Sequence, residues 1–585
     1  MSGSGLLLSI AKDALSAQQY GINVTAQNIA NIDTPGYTKQ TPVFKAKTPA
    51  SYGGVIIGRG VTIDEIIQHR DSYLEDRLRG QKSILSGLKE EEACLSFLEG
   101  IFNENSDHSL GAQFIDFWNV WHDLSNNPSG ELERTMVYET GSLLADNFQG
   151  LDESLLRVER DINLSIEGGI DQINRLTSKL ALFNQEILNL EATGSANDLK
   201  DQRNMVLGEL SGYIDVKCYQ DDNGNFTVLT NGGYTLVDKN NTFLLYVEGK
   251  DVMWDGSGDS KVAITDSIRG GKIGSWLDMR DEIIAKYRAD LSELAKSLIL
   301  EVNKIHAQGA GKDAFTEVQG KYKIDDSSVS IDNSGLYFQD AISDGSFKLW
   351  VYDSNGDVVN LGGAGGELVI NIDADVTTID SIVSAIDGLD GGNISAEVTS
   401  EGYLKINASN GDTFAFSNDT TSALAVLGIN TFFSGTNAGN IDLNSTLFYN
   451  KGLIAAGRVD SEGNIAAGDN SNAFAIANLQ FEGVSVKSWS YERGEDSAYS
   501  DTTTTLENYS HSLVGLVGIH SKSVQGQRES HEIIVNQLTA IRDSVSSVSI
   551  DEEMTNLIKY QHAYAAAAKL ITTADEMLKT LLAVK

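Results

Sequence analysis

Two cysteines in 585 residues, Cys94 and Cys218, exclude a disulfide scaffold and a four-cysteine zinc site, and they read as small buried hydrophobes rather than as a pair. The eight histidines are scattered without metal-ligand spacing. Basic residues are scarce: 44 Lys and Arg stand against 82 Asp and Glu, and a formal net charge of −38 argues against nucleic acid or anionic lipid as partner. No apolar run approaches the length of a membrane span, and the early Leu6-Leu-Leu-Ser-Ile-Ala11 lacks a basic leader and a cleavage site. If the protein leaves the cell, it is expected to do so without a cleaved signal.

Catalytic motifs are missing as well. His531-Glu-Ile-Ile-Val535 begins like a zinc-protease helix, but Val535 stands where the second histidine is needed, so a helix surface is expected. Gly362-Gly-Ala-Gly-Gly366 lacks the Lys-Ser/Thr of a phosphate loop and reads as a hairpin connection. Asp353-Ser-Asn-Gly-Asp357 starts like a calcium loop, but its glycine is misplaced and Ala364 replaces the closing glutamate. No nucleophile elbow occurs. The expectation is a protein that is not an enzyme, with no catalytic, cofactor-binding or metal-binding residues.

What is present is concentrated at the two ends. Leu8, Leu15, Ile22 and Ile29 recur every seven residues with alanines between them, as in a helix seeking a partner helix. That helix is expected to stop near Asn31, because Pro35 disfavours helix before it and Pro35-Gly36 suits the centre of a type II turn. Pro42 and Pro49 follow, and the stretch reads as a semi-rigid link. At the other end a seam runs through Ile550, Met554, Leu557, Gln561, Tyr564, Ala568, Ile571, Asp575, Leu578 and Leu582, with polar Gln561 and Asp575 interrupting it as register-setting positions. Residues 1–50 carry a net charge of +2 and residues 545–585 carry −1, leaving −39 to the interior. Identical copies could therefore bring their ends together while their bodies stay solvated. Both ends are expected to be largely disordered in the monomer and to fold when neighbours supply the missing surface.

The fold class expected is multidomain and mainly α, with β-containing domains. The N- and C-terminal helices, 1–50 and 545–585, pair as a coiled coil. A mainly helical middle domain comprises 51–324 and 444–544. Its helical stretch runs from about Asp64 to Tyr213 and breaks at Asn126-Asn-Pro128, with Phe114, Phe117, Trp118 and Trp121 as a core stripe. Period-two strands occupy 214–252, and a further helix runs from about Ser275 to Ala307. Residues 325–443 hold 18 acidic residues against Lys348 and Lys405, a net charge of −16, and read as an α+β surface insertion. Its strand Phe347–Tyr352 turns at Asp353, and its short helices run through Ile379–Ile386 and Ala423–Leu427. Helices resume around Leu479, at Thr504–Val524 and at Glu529–Val545.

Asn28-Ile-Ala-Asn31 followed by Thr34-Pro-Gly-Tyr37 resembles the N-terminal signature of the bacterial flagellar rod, hook and hook-associated proteins. Ser549-Ile-Asp-Glu-Glu-Met554 through Gln561, and Thr573-Ala-Asp-Glu-Met-Leu578, are similar to the matching C-terminal end. Tyr37-Thr-Lys-Gln40, Leu124-Ser-Asn-Asn-Pro-Ser-Gly130, Asn197-Asp-Leu-Lys-Asp-Gln-Arg203 and Asn231-Gly-Gly-Tyr-Thr-Leu-Val237 resemble the hook-associated members that join hook to filament. Lys39 departs from an arginine frequent in that family, and Tyr20 from a smaller residue.

The resemblance implies a structural adaptor at the distal end of the hook, an extracellular flagellar position, and export through the flagellar type III apparatus. It also implies partners: further copies of the chain, hook protein below, hook-associated protein 3 above, and an export chaperone at the C-terminal helix. The alternatives are the hook protein or another axial polymer subunit, or an axial scaffold displaying an adhesin-like domain. The expected assembly interface comprises Leu8, Leu15, Ala17, Gln18, Ile22, Asn28, Ile29, Asn31, Thr34, Gly36 and Tyr37 from one end. From the other it takes Ile550, Met554, Leu557, Tyr560, Gln561, Tyr564, Ile571, Leu578 and Leu582.

Overall fold

The computed structural model describes residues 3–52, 55–102, 109–192, 194–221, 224–256 and 260–583. The Leu582 side chain, Lys585 and residues 222–223 of the expected Asp221–Gly224 turn lie outside the described residues. The chain forms two compact units: Met1–Ala93 with Ile162–Asp278 and Ser523–Lys585, and Cys94–Asp161 with Met279–Lys522.

In the first unit the N-terminal helix Gly3–Ala30 ends where expected. Tyr37 N–H then donates to Thr34 O at 3.2 Å and Gly36 takes φ +77°, which is the type II turn that Pro35-Gly36 favours. The expected semi-rigid link is instead a strand. Gln40–Ala46 pairs antiparallel with Val61–Gln68, with a register shift between Val43 and Phe44 and buried Pro42 opposite Ile66. A two-stranded ladder leaves each strand a free edge, where a residue without an N–H is tolerated. The helical stretch accordingly begins at Ser72–Ile101 rather than near Asp64. Helix Asn197–Tyr213, a four-stranded sheet over 216–242 and a three-stranded sheet over 245–263 follow.

The ends, expected to be disordered, are paired helices: Gly3–Ala30 and Ile550–Ala583 pack along one another. The two expected helices over 504–545 are one continuous helix, Leu506–Ser546, that passes through Gly526. Its residues Val535 and Leu538 pack with Leu74, Leu78 and Leu85, and His531 Nδ1 lies 2.9 Å from Gln81 Oε1. The stretch expected to be a helix surface is packed on one side, through His531 and Val535, and exposed on the other, at Ile533 and Ile534.

In the second unit Phe114, Phe117, Trp118 and Trp121 of helix Leu110–Asn126 are fully buried. Phe432 and Phe433, from the end of the acidic stretch, close on them at centroid distances of 5.3 to 5.9 Å. Helix Ala285–Ala307 carries the joints: Asn303 Oδ1 accepts from Phe432 N–H and Phe433 N–H at 2.9 and 3.0 Å. Buried His306 bridges Asn430 O and Ala455 N–H at 2.7 and 3.0 Å. Two three-stranded sheets, of orders Glu317–Gln319, Leu404–Ala408, Ile394–Val398 and Leu368–Ile372, Gly345–Tyr352, Thr413–Ser417, complete the α+β part. The first sheet begins before the composition changes at 325. Helices Ile379–Ile386 and Ala423–Leu427 stand where the periodicity placed them, the latter stopped by Gly428 at φ +73°. A hairpin, Val484–Ser490 with Ala498–Thr504, was not anticipated.

Among the described residues no helix is long and apolar enough to cross a membrane, and no group of three or more metal-ligating side chains occurs.

Candidate assembly site at the paired termini

The buried side chains of the terminal helices are mainly small ones, not the expected heptad of leucines and isoleucines. Ala11, Ala17, Val24, Thr25 and Asn28 are the buried side chains of the first helix, whereas Leu8, Leu15, Ile22 and Ile29 are half-buried. On the C-terminal helix, Glu553, Ala567 and Ala574 are buried at sevenfold spacing, and half-buried Tyr560 fills the remaining step. A Cβ added to Gly21 would meet the Tyr560 ring at 3.1 Å, so the helices approach as closely as that glycine allows. Gln561 and Asp575 lie on the exposed flank and do not interrupt this seam, and Asp575 pairs with Lys579 at 2.7 Å.

Bulky apolar groups consequently face outward. Ile550, Met554, Ile558, Leu570 and Met577 are 45–53% exposed, and Tyr20 is 57% exposed. Of the other interface residues expected, Tyr564 is exposed, while Gln18, Leu557, Ile571 and Leu578 are half-buried.

At one end of the seam a polar latch closes the pair. Asn28, 1% exposed, uses its whole amide: Nδ2 donates to Gln40 O at 2.8 Å and to Glu553 Oε2 at 2.9 Å, while Oδ1 accepts from Tyr37 O–H at 2.8 Å and Gln40 N–H at 3.1 Å. Lys39 N–H donates to Ser546 O at 2.8 Å, and the Lys39 ammonium pairs with Glu552 and lies 3.7 Å from Glu553. Lys39 supplies the positive charge that this pair requires. Asn31 and Thr34 serve the turn, through Asn31 Nδ2 to Gln27 O at 3.0 Å and Thr34 Oγ1 to Asn31 Oδ1 at 3.1 Å.

The latch also reaches the start of helix Asn197–Tyr213. Thr38 N–H and Oγ1 both donate to the Asp201 carboxylate, at 3.0 and 2.8 Å, and Gln68 Nε2 adds a bond at 3.1 Å. Gln40 Nε2 donates to Asp198 at 2.8 Å and Gln40 Oε1 accepts from Asn197 Nδ2 at 3.2 Å. Arg203 turns the other way, to Asn184 Oδ1 at 3.2 Å, with its guanidinium 3.9 Å above the Phe226 ring. Burial pushes the Asp201 carboxyl up to about 6 although the Thr38 bonds favour its charge, and burial, with the nearby acids, raises the Tyr37 phenol.

Of the expected interface residues, then, Asn28, Asn31, Thr34 and Tyr37 are brought into one intramolecular network, and Gly36 supplies its turn. Thr38, Gln40, Asn197, Asp198, Asp201, Glu552 and Glu553 were missed as site residues. Asn197–Arg203 had stood out as a motif, but nothing in its local pattern says that its acids face residues some 160 positions earlier.

The comparisons with known proteins meet at this latch. Residues 8–38 match the flagella basal body rod protein family, 95–319 the flagellar hook-associated protein FlgK helical domain, and 543–584 the C-terminal family of the flagellar basal body rod FlgEFG proteins. The chain is a structural component of the bacterial flagellum, of the axial class whose two ends these families describe, and it assembles with other flagellar proteins. Flagellar hook-associated protein 1 of Bacillus subtilis (strain 168) is 27% identical, covering 99% of this chain and 98% of its own length. The proteins of that name from Escherichia coli (strain K12) and Salmonella typhimurium are 23% and 24% identical, each covering 99% of this chain and 100% of its own length. The flagellar hook junction protein FlgK of Burkholderia pseudomallei superposes with a TM-score of 0.48 at 15% identity, over 80% of this chain and 100% of its own. Over nearly its full length the chain is similar to proteins named flagellar hook-associated protein 1.

Proposed function

We propose that the chain assembles at the distal end of the hook and joins hook to filament as an adaptor. The reading is supported by full-length similarity to proteins named hook-associated protein 1. The observation that carries it is the division of labour at the paired termini: the buried side chains are mainly small ones, while Ile550, Met554, Ile558, Leu570 and Met577 are left exposed for neighbours. In this reading copies of the chain meet through those outward faces, with Leu8, Leu15, Gln18, Ile22, Ile29, Leu557, Tyr564, Ile571 and Leu578 at their margins. Hook protein lies below and hook-associated protein 3 above. The chain reaches the cell exterior through the flagellar type III apparatus, and an export chaperone holds the C-terminal helix on the way.

A deletion strain tests the reading. Complete hooks with flagellin shed unattached into the medium are expected; short or absent hooks would make the chain a hook subunit instead.

A further inference from the structure

Strand Val61–Gln68 pairs only with Gln40–Ala46, so its other edge carries no strand. A groove of about 690 Å³ runs there, between Val61–Gln68, the face of the first helix that carries Asp13 and Tyr20, and the segment 191–200. A groove over one face of a strand is lined by alternate residues; this one is lined by six in succession, 61 to 66, as an edge would give. Asn197 Nδ2 closes one end by donating to Ile66 O at 2.9 Å. Open edges of this kind accept an added strand.

The groove is acidic: four carboxylates line it against the ammonium groups of Lys47 and Lys200. Asp13 pairs with Lys47 at 2.6 Å, Asp64 with Lys45 at 3.3 Å, and Glu191 with Lys200. Glu65 is exposed and is in no ion pair among the described residues. The register shift between Val43 and Phe44 leaves Asp64 without an opposite residue, so Asp64 and Glu65 follow one another on a bulge. The complementary element lies just upstream. Ala50–Tyr52 pairs antiparallel with Val55–Ile57 in a separate two-stranded sheet. Val55 and Ile56 are 62% and 77% exposed, and Ile57 is exposed as well. Strands of three residues in a lone pair are marginal in water, so this hairpin gains from a covering surface. Arg59 follows, exposed and in no ion pair among the described residues. Residues 34–63 contain Lys39, Lys45, Lys47 and Arg59 and no acid, in a chain whose net charge is −38.

We propose that strand Val55–Ile57 of one copy adds to the open edge of Val61–Gln68 of a second copy, with Arg59 paired to Glu65. The proposal rests on the assembly reading above. Reach excludes the same chain as occupant. Lys47 N–H donates to Gly60 O at 2.9 Å, which carries the ladder past Val61, and the extended chain from Arg59 to Glu65 then spans about 20 Å. Charge selects the acid-free stretch of a neighbour and also fixes its direction. Added parallel, Val55–Ile57 lies beside Val61–Ile63 and carries Arg59 on to Asp64 and Glu65. Added antiparallel on the open part of the edge, it carries Arg59 to the Val61 end, away from both acids. Copies related by a rotation and a rise along one axis keep a common direction and so present parallel strands, and such a head-to-tail contact propagates round a ring or a helix.

The test uses the full chain, returned to the deletion strain with Ile56→Cys and Thr62→Cys together. In the parallel register these two positions are neighbours on adjacent strands, within reach of a disulfide between copies but not within one chain. Mild oxidation of isolated flagella is expected to give a ladder of linked multimers, which neither cysteine gives alone. Arg59→Glu and Glu65→Arg are then added, singly and together. Each reversal alone is expected to lower the multimer yield about five- to tenfold, and the double reversal to recover most of the loss. Both residues are exposed, so the purified variants should unfold at the wild-type temperature.

Attached filaments without linked multimers overturn the proposal, and so does a double reversal no better than the single ones. Dimers from Ile56→Cys alone, with no higher multimers, assign the hairpin to a symmetric contact between two copies and overturn the parallel edge. A fall in thermal stability in either single variant, repaired in the double one, makes the pair intramolecular and overturns it as well. Should the deletion strain make short hooks while the ladder of multimers still forms, the junction reading falls and the strand contact stands.

Discussion

Replacing Asn28 by alanine removes four hydrogen bonds at a site that is 1% exposed. Three of the partners are neutral and contribute about 1 kcal/mol each, while the Glu553 carboxylate contributes about 2 kcal/mol. Water entering the vacated space returns part of this, so a loss of about 3 to 5 kcal/mol is expected. With two compact units a single unfolding midpoint is ill-defined, and a local reading is preferable. Gln40 N–H, which donates to Asn28 Oδ1 at 3.1 Å, is the reporter. Its hydrogen exchange should quicken by roughly a hundredfold to a few thousandfold, at about 1.4 kcal/mol per tenfold. Asn31→Ala is the control, because half-buried Asn31 bonds only within its own turn and should cost less than about 1 kcal/mol. If Asn28→Ala quickens exchange no more than Asn31→Ala does, the latch does not hold the termini and the reasoning fails.

Further predictions concern strain and pH. Gly36→Ala forces a side chain into φ +77° and sets its Cβ 2.6 Å from Met205 Cγ, costing about 1 to 3 kcal/mol; adding Met205→Ala should recover the clash but not the backbone strain, as read by hydrogen exchange at Tyr37 N–H. Burial holds His306 neutral, with its pKa lowered to about 4 from the usual 6.5. The native state then binds fewer protons than the unfolded chain between those values, so stability is lost as pH falls from 6.5 towards 4, by about 3 kcal/mol. His306→Gln should flatten that slope in urea unfolding followed by tryptophan fluorescence, and an unchanged slope would exclude His306 as its source. Asp201 has the opposite sign: its raised carboxyl means stability present below the unfolded value and lost as pH rises through about 6. Exchange at Thr38 N–H should therefore slow on acidification from pH 7 to 5 in the wild type, relative to Asp201→Asn.

The parts legible in the sequence are those decided by local chemistry. Pro35-Gly36 specifies its turn because few residue pairs suit those backbone angles, and Gly428 ends its helix for a similar reason. The pairing of the termini was legible as periodicity, but its seam was not. Hydrophobicity ranks leucine above alanine, whereas the distance between two helices is set by size, and small residues won. Pro42 argued for a linker because its cost within a sheet depends on whether the strand is an edge, which only the partner strand reveals. The Val484–Thr504 hairpin escaped because its single fully buried apolar side chain, Val486, sits among serines and threonines. Asp198 and Asp201 are ordinary helix-start acids until Thr38 and Gln40 are placed against them.

The Asn28–Glu553 bond joins residues 525 positions apart. Loop-closure entropy grows only logarithmically with length, so the distance adds little to the equilibrium cost, yet it fixes the order of events. During synthesis the first helix emerges long before its partner exists, and its seam stays open until residue 553 has been made. A chain cut short anywhere in between, however well its own middle folds, lacks the closed latch and the outward apolar faces that come with it. The bond therefore acts as a test of completeness: only a chain that has made both residue 28 and residue 553 can close it.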